Sequence, residues 1–145
     1  MKFKFNPLIF KIQKMGGITT LWSSLLDFDK NKKLGNKITE NFLGDDIEIS
    51  KPSRFIYAIK DDFYLNSYHT IKIGPGLSLC VCHDLMEERK KGLRSFIKRI
   101  YIYLAYLSAD KIVCVSDKTF SEFSEFYPNL INKCCVILNP LPSDY

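Results

Sequence analysis

Apolar and polar positions recur with two different periods along this chain, and the switches between them predict the order of its elements. Residues 77–82, Leu-Ser-Leu-Cys-Val-Cys, are almost continuously apolar and follow the turn Gly74-Pro75-Gly76. Such a run marks a parallel strand buried on both faces. Residues 2–5, 53–59, 112–115 and 134–138 read as further strands, and residues 37–42 can be read as one. A helical period runs through residues 18–28, where Leu21, Trp22, Leu25, Leu26 and Phe28 form an apolar side. It returns over residues 87–108, and again from Ser116, an N-cap, to about Tyr127, with Pro128 after the stop. Residues 61–73 carry many aromatic and polar groups and read mostly as loop.

Strand, helix, strand, helix, strand over the second half calls for crossover connections and a parallel sheet. The expected fold is α/β: a Rossmann-like open, mainly parallel sheet with helices on both faces, forming one domain over residues 1–145. Composition agrees. The chain has 145 residues, 46% of them hydrophobic and 26% charged, which suits one domain able to bury a core.

Charge narrows the partners. The balance is 21 Lys and Arg against 16 Asp and Glu, a net +5. That admits an anionic ligand or an anionic membrane surface and is too weak to point to nucleic acid. The odd count of 5 cysteines fits a reducing compartment. The longest apolar run, residues 100–107, is far shorter than the roughly 20 residues that span a bilayer. The opening Met1-Lys2-Phe3-Lys4-Phe5 lacks the apolar core of a signal peptide.

In a parallel α/β sheet, ligands bind beyond the carboxyl ends of the strands. That rule selects the Gly16-Gly17 loop, His83-Asp84 after the strongest strand, and Ser116-Asp117 after the next one. Gly16-Gly17-Ile18-Thr19-Thr20 stands at a loop-to-helix junction, where paired glycines and free N–H groups suit a phosphate, or simply a tight turn. His83 has the chemistry to hydrogen-bond a ligand hydroxyl or a charged reaction centre, and Asp84 to cap the next helix. Cys80-Val81-Cys82-His83 offers zinc-ligand types. Alternate cysteines on an apolar strand are better read as small core side chains, and no second cysteine pair has finger spacing, so no metal is expected.

Arg89, Lys90, Lys91, Arg94, Lys98 and Arg99 crowd the start of the long helix, with Leu93, Phe96, Ile97, Ile100, Tyr101 and Leu104 as its apolar side. The expectation is an apolar side packed on the core and a solvated basic face; a surface resting on anionic lipid is the alternative. Glu40 and Glu48 are spaced as Glu-x7-Glu, but Gly44-Asp45-Asp46 between them breaks any shared helix.

Several segments, in order, resemble the amino-terminal half of family 4 glycosyltransferases. Residues 6–26, Asn-Pro-Leu-Ile-Phe-Lys-Ile-Gln-Lys-Met-Gly-Gly-Ile-Thr-Thr-Leu-Trp-Ser-Ser-Leu-Leu, are similar to that family's first loop and helix, "F..Q..GGI". Phe63-Tyr-Leu-Asn-Ser-Tyr-His-Thr70 resembles "FHSSYY", with the order of Tyr68 and His69 reversed. Leu79-Cys-Val-Cys-His-Asp84 resembles "VVTVHD", and Ala109-Asp-Lys-Ile-Val-Cys-Val-Ser-Asp-Lys-Thr119 resembles "ADKIICVSENT". Tyr127-Pro128 and Cys135-Val-Ile-Leu-Asn-Pro140 are similar to "YP" and "VIPNG". Thr20 stands where many relatives have Arg.

The resemblance implies half of a GT-B fold: a single amino-terminal, acceptor-side domain, with the carboxy-terminal donor-binding domain and its Glu-x7-Glu motif absent. It implies retaining transfer of a sugar from a nucleotide-sugar co-substrate to a glycan or lipid-linked acceptor, in capsule or lipopolysaccharide synthesis, with no cofactor and no metal. Activity would need the separate carboxy-terminal half. Carried over, His83 contacts the donor sugar near the transferred carbon, while Gly16, Gly17, Ile18, Thr19 and Asp84 line the substrate and donor-phosphate site. The implied location is cytoplasmic, peripheral on the inner face of the membrane. The alternative is a truncated, non-catalytic domain that binds a glycan, a lipid surface or a partner chain.

Overall fold

The computed structural model describes residues 3–6, 9–10, 18–24, 56–58 and 63–138. The expected strand at residues 37–42, the Glu40/Glu48 pair and the glycines Gly16 and Gly17 lie outside them. The described strands are β1 (Phe3–Asn6), β2 (Ile56–Ala58), β3 (Phe63–Asn66), β4 (Ile71–Ile73), β5 (Leu77–Cys82), β6 (Lys111–Cys114) and β7 (Cys134–Val136). Five form a parallel sheet in the order β1-β3-β5-β6-β7; β2 and β4 form a separate parallel pair. The strand order of the larger sheet rises with chain order and does not reverse among the described residues.

The strands sort their side chains by the two-residue period. Cys80, Cys82, Ile112 and Cys114 turn to one face. There they meet a long helix, α2 (Leu93–Ser108), then α3 (Asp117–Phe126) and the 3-10 turn Pro128–Lys133. Val81 and Val113 turn to the other face, against Ile9 and Trp22, the latter within helical residues 18–24. Helices therefore cover both faces of a parallel sheet, the α/β architecture the pattern predicts. Pairing of Val81 with Val113 and Cys82 with Cys114 keeps both faces in register.

Three expectations are corrected. Residues 61–73 are not all loop: Phe63–Asn66 alternates half-buried and buried positions and joins the main sheet, and Ile71–Ile73 pairs with β2. The helix expected over residues 87–108 is broken. A short α1 (Met86–Arg89) ends at an extended Lys90, and α2 restarts at Gly92, whose φ of 112° is a backbone state that glycine alone adopts freely.

The third correction concerns the face that α2 buries. Ile102, Ala105 and Tyr106 pack into the core, whereas Leu93, Phe96, Ile97, Ile100 and Leu104 stay exposed, Leu93 at 75%. The reason is volume. Cys80 and Cys82 are small, so large rings fill the layer above them. Tyr106 meets Phe123 and Tyr127 there, edge-on at 5.1 Å and 5.6 Å between ring centroids. The helix accordingly turns the side carrying Ile102, Ala105 and Tyr106 inward and its Leu- and Ile-rich stripe out. Ser116 caps α3 as expected, accepting from the Thr119 N–H at 3.0 Å.

Candidate functional site

Because the sheet strands are parallel, their carboxyl ends share one edge, and the loops after adjacent β3 and β5 meet there. Residues 67–69 follow β3 and His83-Asp84 follow β5. Together with Ile18, Glu87 and Lys98 they line a cleft of about 200 Å³. That is smaller than the roughly 300–1,000 Å³ of sites for drug-sized ligands, so it suits one small polar ring.

The β3 loop is tied by its own side chains. The buried Asn66 amide donates to the Thr70 carbonyl at 3.2 Å, and the Thr70 hydroxyl donates back to Asn66 Oδ1. The Ser67 hydroxyl accepts from the Ile9 N–H at 3.3 Å, and the Tyr101 hydroxyl donates to the His69 carbonyl. His69 is thereby held edge-on against Tyr106, 5.1 Å between centroids.

His83 is set from the other side. Its carbonyl receives the Thr119 hydroxyl at 3.5 Å, and its ring meets Trp22 edge-on at 6.4 Å. Asp84 Oδ1 accepts from the Met86 N–H at 3.1 Å, but the N-cap position of α1 belongs to Leu85, so Asp84 stands one residue before the cap expected of it.

Both imidazoles are neutral. Burial lowers His83 to about 4, with the Asp84 carboxylate opposing the shift. Burial also lowers His69 to about 4; His83 and Lys98 add to the shift, and Asp84 and Glu87 oppose it. His83 Nε2 and His69 Nδ1 are buried with no hydrogen-bond partner among the described residues. Buried polar atoms are nearly always paired, so these two call for a water or a ligand. At the rim, Glu87 Oε1 bridges Lys90 Nζ at 2.6 Å and Lys98 Nζ at 3.0 Å, and the two ammonium groups hold its carboxyl below its ordinary value. The cleft thus offers neutral donors and acceptors inside and a charge-compensated rim outside, chemistry suited to hydroxyl groups.

Of the predicted site residues, His83, Asp84 and Ile18 come together at the cleft. Thr19 is buried in the helix of residues 18–24, and Gly16 and Gly17 lie outside the described residues. Ser116 serves as a cap. His69, Glu87 and Lys98 were not foreseen. A signal for His69 existed: Phe63-Tyr-Leu-Asn alternates as a strand does, which puts the following loop at a carboxyl end. Cys80 and Cys82 are buried in the core, and burial pushes the Cys80 thiol up to about 12. All five cysteines are unpaired. Among the described residues no group of three or more His, Cys, Asp or Glu side chains is placed to hold a metal ion, and no helix is long and apolar enough to cross a membrane.

Comparison with protein-family models, curated protein sequences and solved structures finds no match to this chain.

Proposed function

We propose that the chain is the acceptor-side domain of a retaining glycosyltransferase, working in the cytoplasm on surface polysaccharide. It would move a sugar from a nucleotide-sugar to a glycan or lipid-linked acceptor. One observation carries the reading: an imidazole at the carboxyl end of the central parallel strand, neutral, with an unpartnered ring nitrogen in a cleft sized for one ring. The segment-by-segment resemblance supports a reacting sugar at that same histidine.

Transfer exchanges the sugar's C1–O bond to phosphate for one to the acceptor hydroxyl, whose proton leaves with the nucleoside diphosphate. His83 would hydrogen-bond the sugar near C1, orienting it and stabilising the charge that develops there. The rim pair of Glu87 with Lys90 and Lys98 would bound the sugar's polar edge. The nucleotide would be held mainly by a donor-binding domain.

The chain's 2 histidines both line the cleft, so its imidazole NMR spectrum reports occupancy directly. Titration with a panel of sugars and nucleotide-sugars should move both imidazole signals. A spectrum unmoved by every sugar rejects the reading. When the donor-binding half is supplied, His83→Ala should slow transfer by about tenfold or more. Ordinary turnover by the isolated chain would equally reject an acceptor-side role.

A further inference from the structure

Five side chains on the outer face of α2 are spaced four and three residues apart in alternation: Leu93, Ile97, Ile100, Leu104 and Leu107. Phe96 widens this stripe, and all six are exposed, Ile97 at 59% and Leu107 at 44%. The 16-residue helix buries its opposite face in the core. It therefore presents an apolar ridge about 21 Å long to its surroundings. Isolated apolar side chains on a surface need no explanation; a contiguous ridge of six does.

Charge identifies the occupant. Residues 89–109 hold six Lys and Arg side chains and no Asp or Glu. Lys98 is taken up by Glu87, and Arg99 donates to the Glu88 carbonyl at 3.2 Å. Lys91 and Arg94 are exposed, with no ion-pair partner among the described residues. Arg94 also sits in the first turn of α2, which has no acidic residue and where the helix dipole disfavours a cation. Neither packing nor the helix itself gains from that charge, whereas an external anion does. A second copy fits poorly: two such helices face to face would bring cations together with no carboxylate between residues 89 and 109 to pair with them. An apolar ridge flanked by cations matches a bilayer surface with anionic headgroups.

We propose that α2 is the membrane-docking element of this chain, lying in the interface of an anionic bilayer with Leu93, Ile97, Ile100 and Leu104 among the acyl chains and Lys91 and Arg94 at the headgroups. The inference does not depend on the glycosyltransferase reading, since its residues lie outside the cleft.

The full chain is sedimented with vesicles of phosphatidylcholine alone or containing phosphatidylglycerol. Binding should require the anionic lipid and weaken with salt. Ile97→Asp with Ile100→Asp, and separately Lys91→Glu with Arg94→Glu, should each reduce binding by about tenfold or more. Both pairs are exposed, and circular dichroism verifies their folding. If the aspartate pair does not fold, Phe96→Trp takes its place, and the fluorescence of the added indole should be quenched by brominated phosphatidylglycerol. No binding at low salt, binding indifferent to both variant pairs, or an unquenched indole in the Phe96→Trp chain each overturns the proposal. So does concentration-dependent self-association that Ile97→Asp abolishes while the wild-type chain leaves vesicles untouched; that result makes the ridge a contact between copies.

Discussion

His83 and His69 are two imidazoles held where a positive charge is costly. Burial dominates both shifts, and each group is set near 4 against an ordinary 6.5. Their ring protons should therefore titrate by NMR with midpoints near 4. A midpoint near 6.5 for either would mean that it faces open water. Asn66→Ala removes both hydrogen bonds that close the β3 loop and leaves Thr70 unpaired in the core. It should cost about 1–3 kcal/mol in a urea titration and move the His69 signals more than those of His83. His83 was legible in the sequence because the strand before it is nearly all apolar, which fixes where that strand ends. His69 was not, because Phe63–Asn66 is only half apolar and the aromatic residues around it hide its period of two.

Elements differ in how far local pattern decides them. The cap of α3 is decided locally: one hydroxyl satisfies one N–H, and Ser116 was readable as such. Ser116→Ala should cost about 1 kcal/mol. The break before α2 is also local, but easily missed. A single glycine in a charged stretch reads as tolerable within a helix, whereas here it carries φ 112° and starts a new one. A Cβ at Gly92 meets nothing within 4 Å, so the strain of Gly92→Ala is purely that of the backbone, about 1–3 kcal/mol by thermal melt. Which face α2 buries is not local at all. The helix has a Leu- and Ile-rich stripe and an opposite side carrying Ile102, Ala105 and Tyr106, and both satisfy the helical period. The choice falls to the thiols of the sheet, which leave room for rings. Ile102→Ala should therefore cost about 2–5 kcal/mol, while truncating Ile97 to Ala should cost less than about 1. Equal losses would place the stripe that carries Ile97 in the core.

Across the whole molecule the two histidines stand at the junction of the two core layers. His69 lies edge-on to Tyr106, part of the layer under α2 and α3. His83 lies edge-on to Trp22, part of the opposite layer. A proton on either ring thus disturbs a different half of the core, and acid should loosen both together. The sign follows from the direction of the shifts. The unfolded chain takes up these protons near 6.5 and the folded chain only near 4, so the unfolded state binds more protons in between. Stability should be flat on this account above about pH 7 and fall from about 6.5 to about 4, by up to roughly 3 kcal/mol for each imidazole. Asp110 acts at lower pH. Burial pushes its carboxyl up, but Lys72 at 2.6 Å and the Ser78 N–H at 2.7 Å outweigh burial and hold it below its ordinary value. Its contribution is present above the ordinary aspartate range and is lost as the pH falls through and below it. Urea titrations from pH 7.5 down to about 2.5 separate the two effects, because a chain carrying His69→Gln and His83→Gln should lose the slope between about pH 6.5 and 4 and keep the acid limb below it. A slope that survives in the double variant would assign it elsewhere. A ligand that hydrogen-bonds the neutral imidazoles should displace the fall toward lower pH in the wild-type chain, since it binds only the unprotonated cleft, and should leave the double variant unmoved.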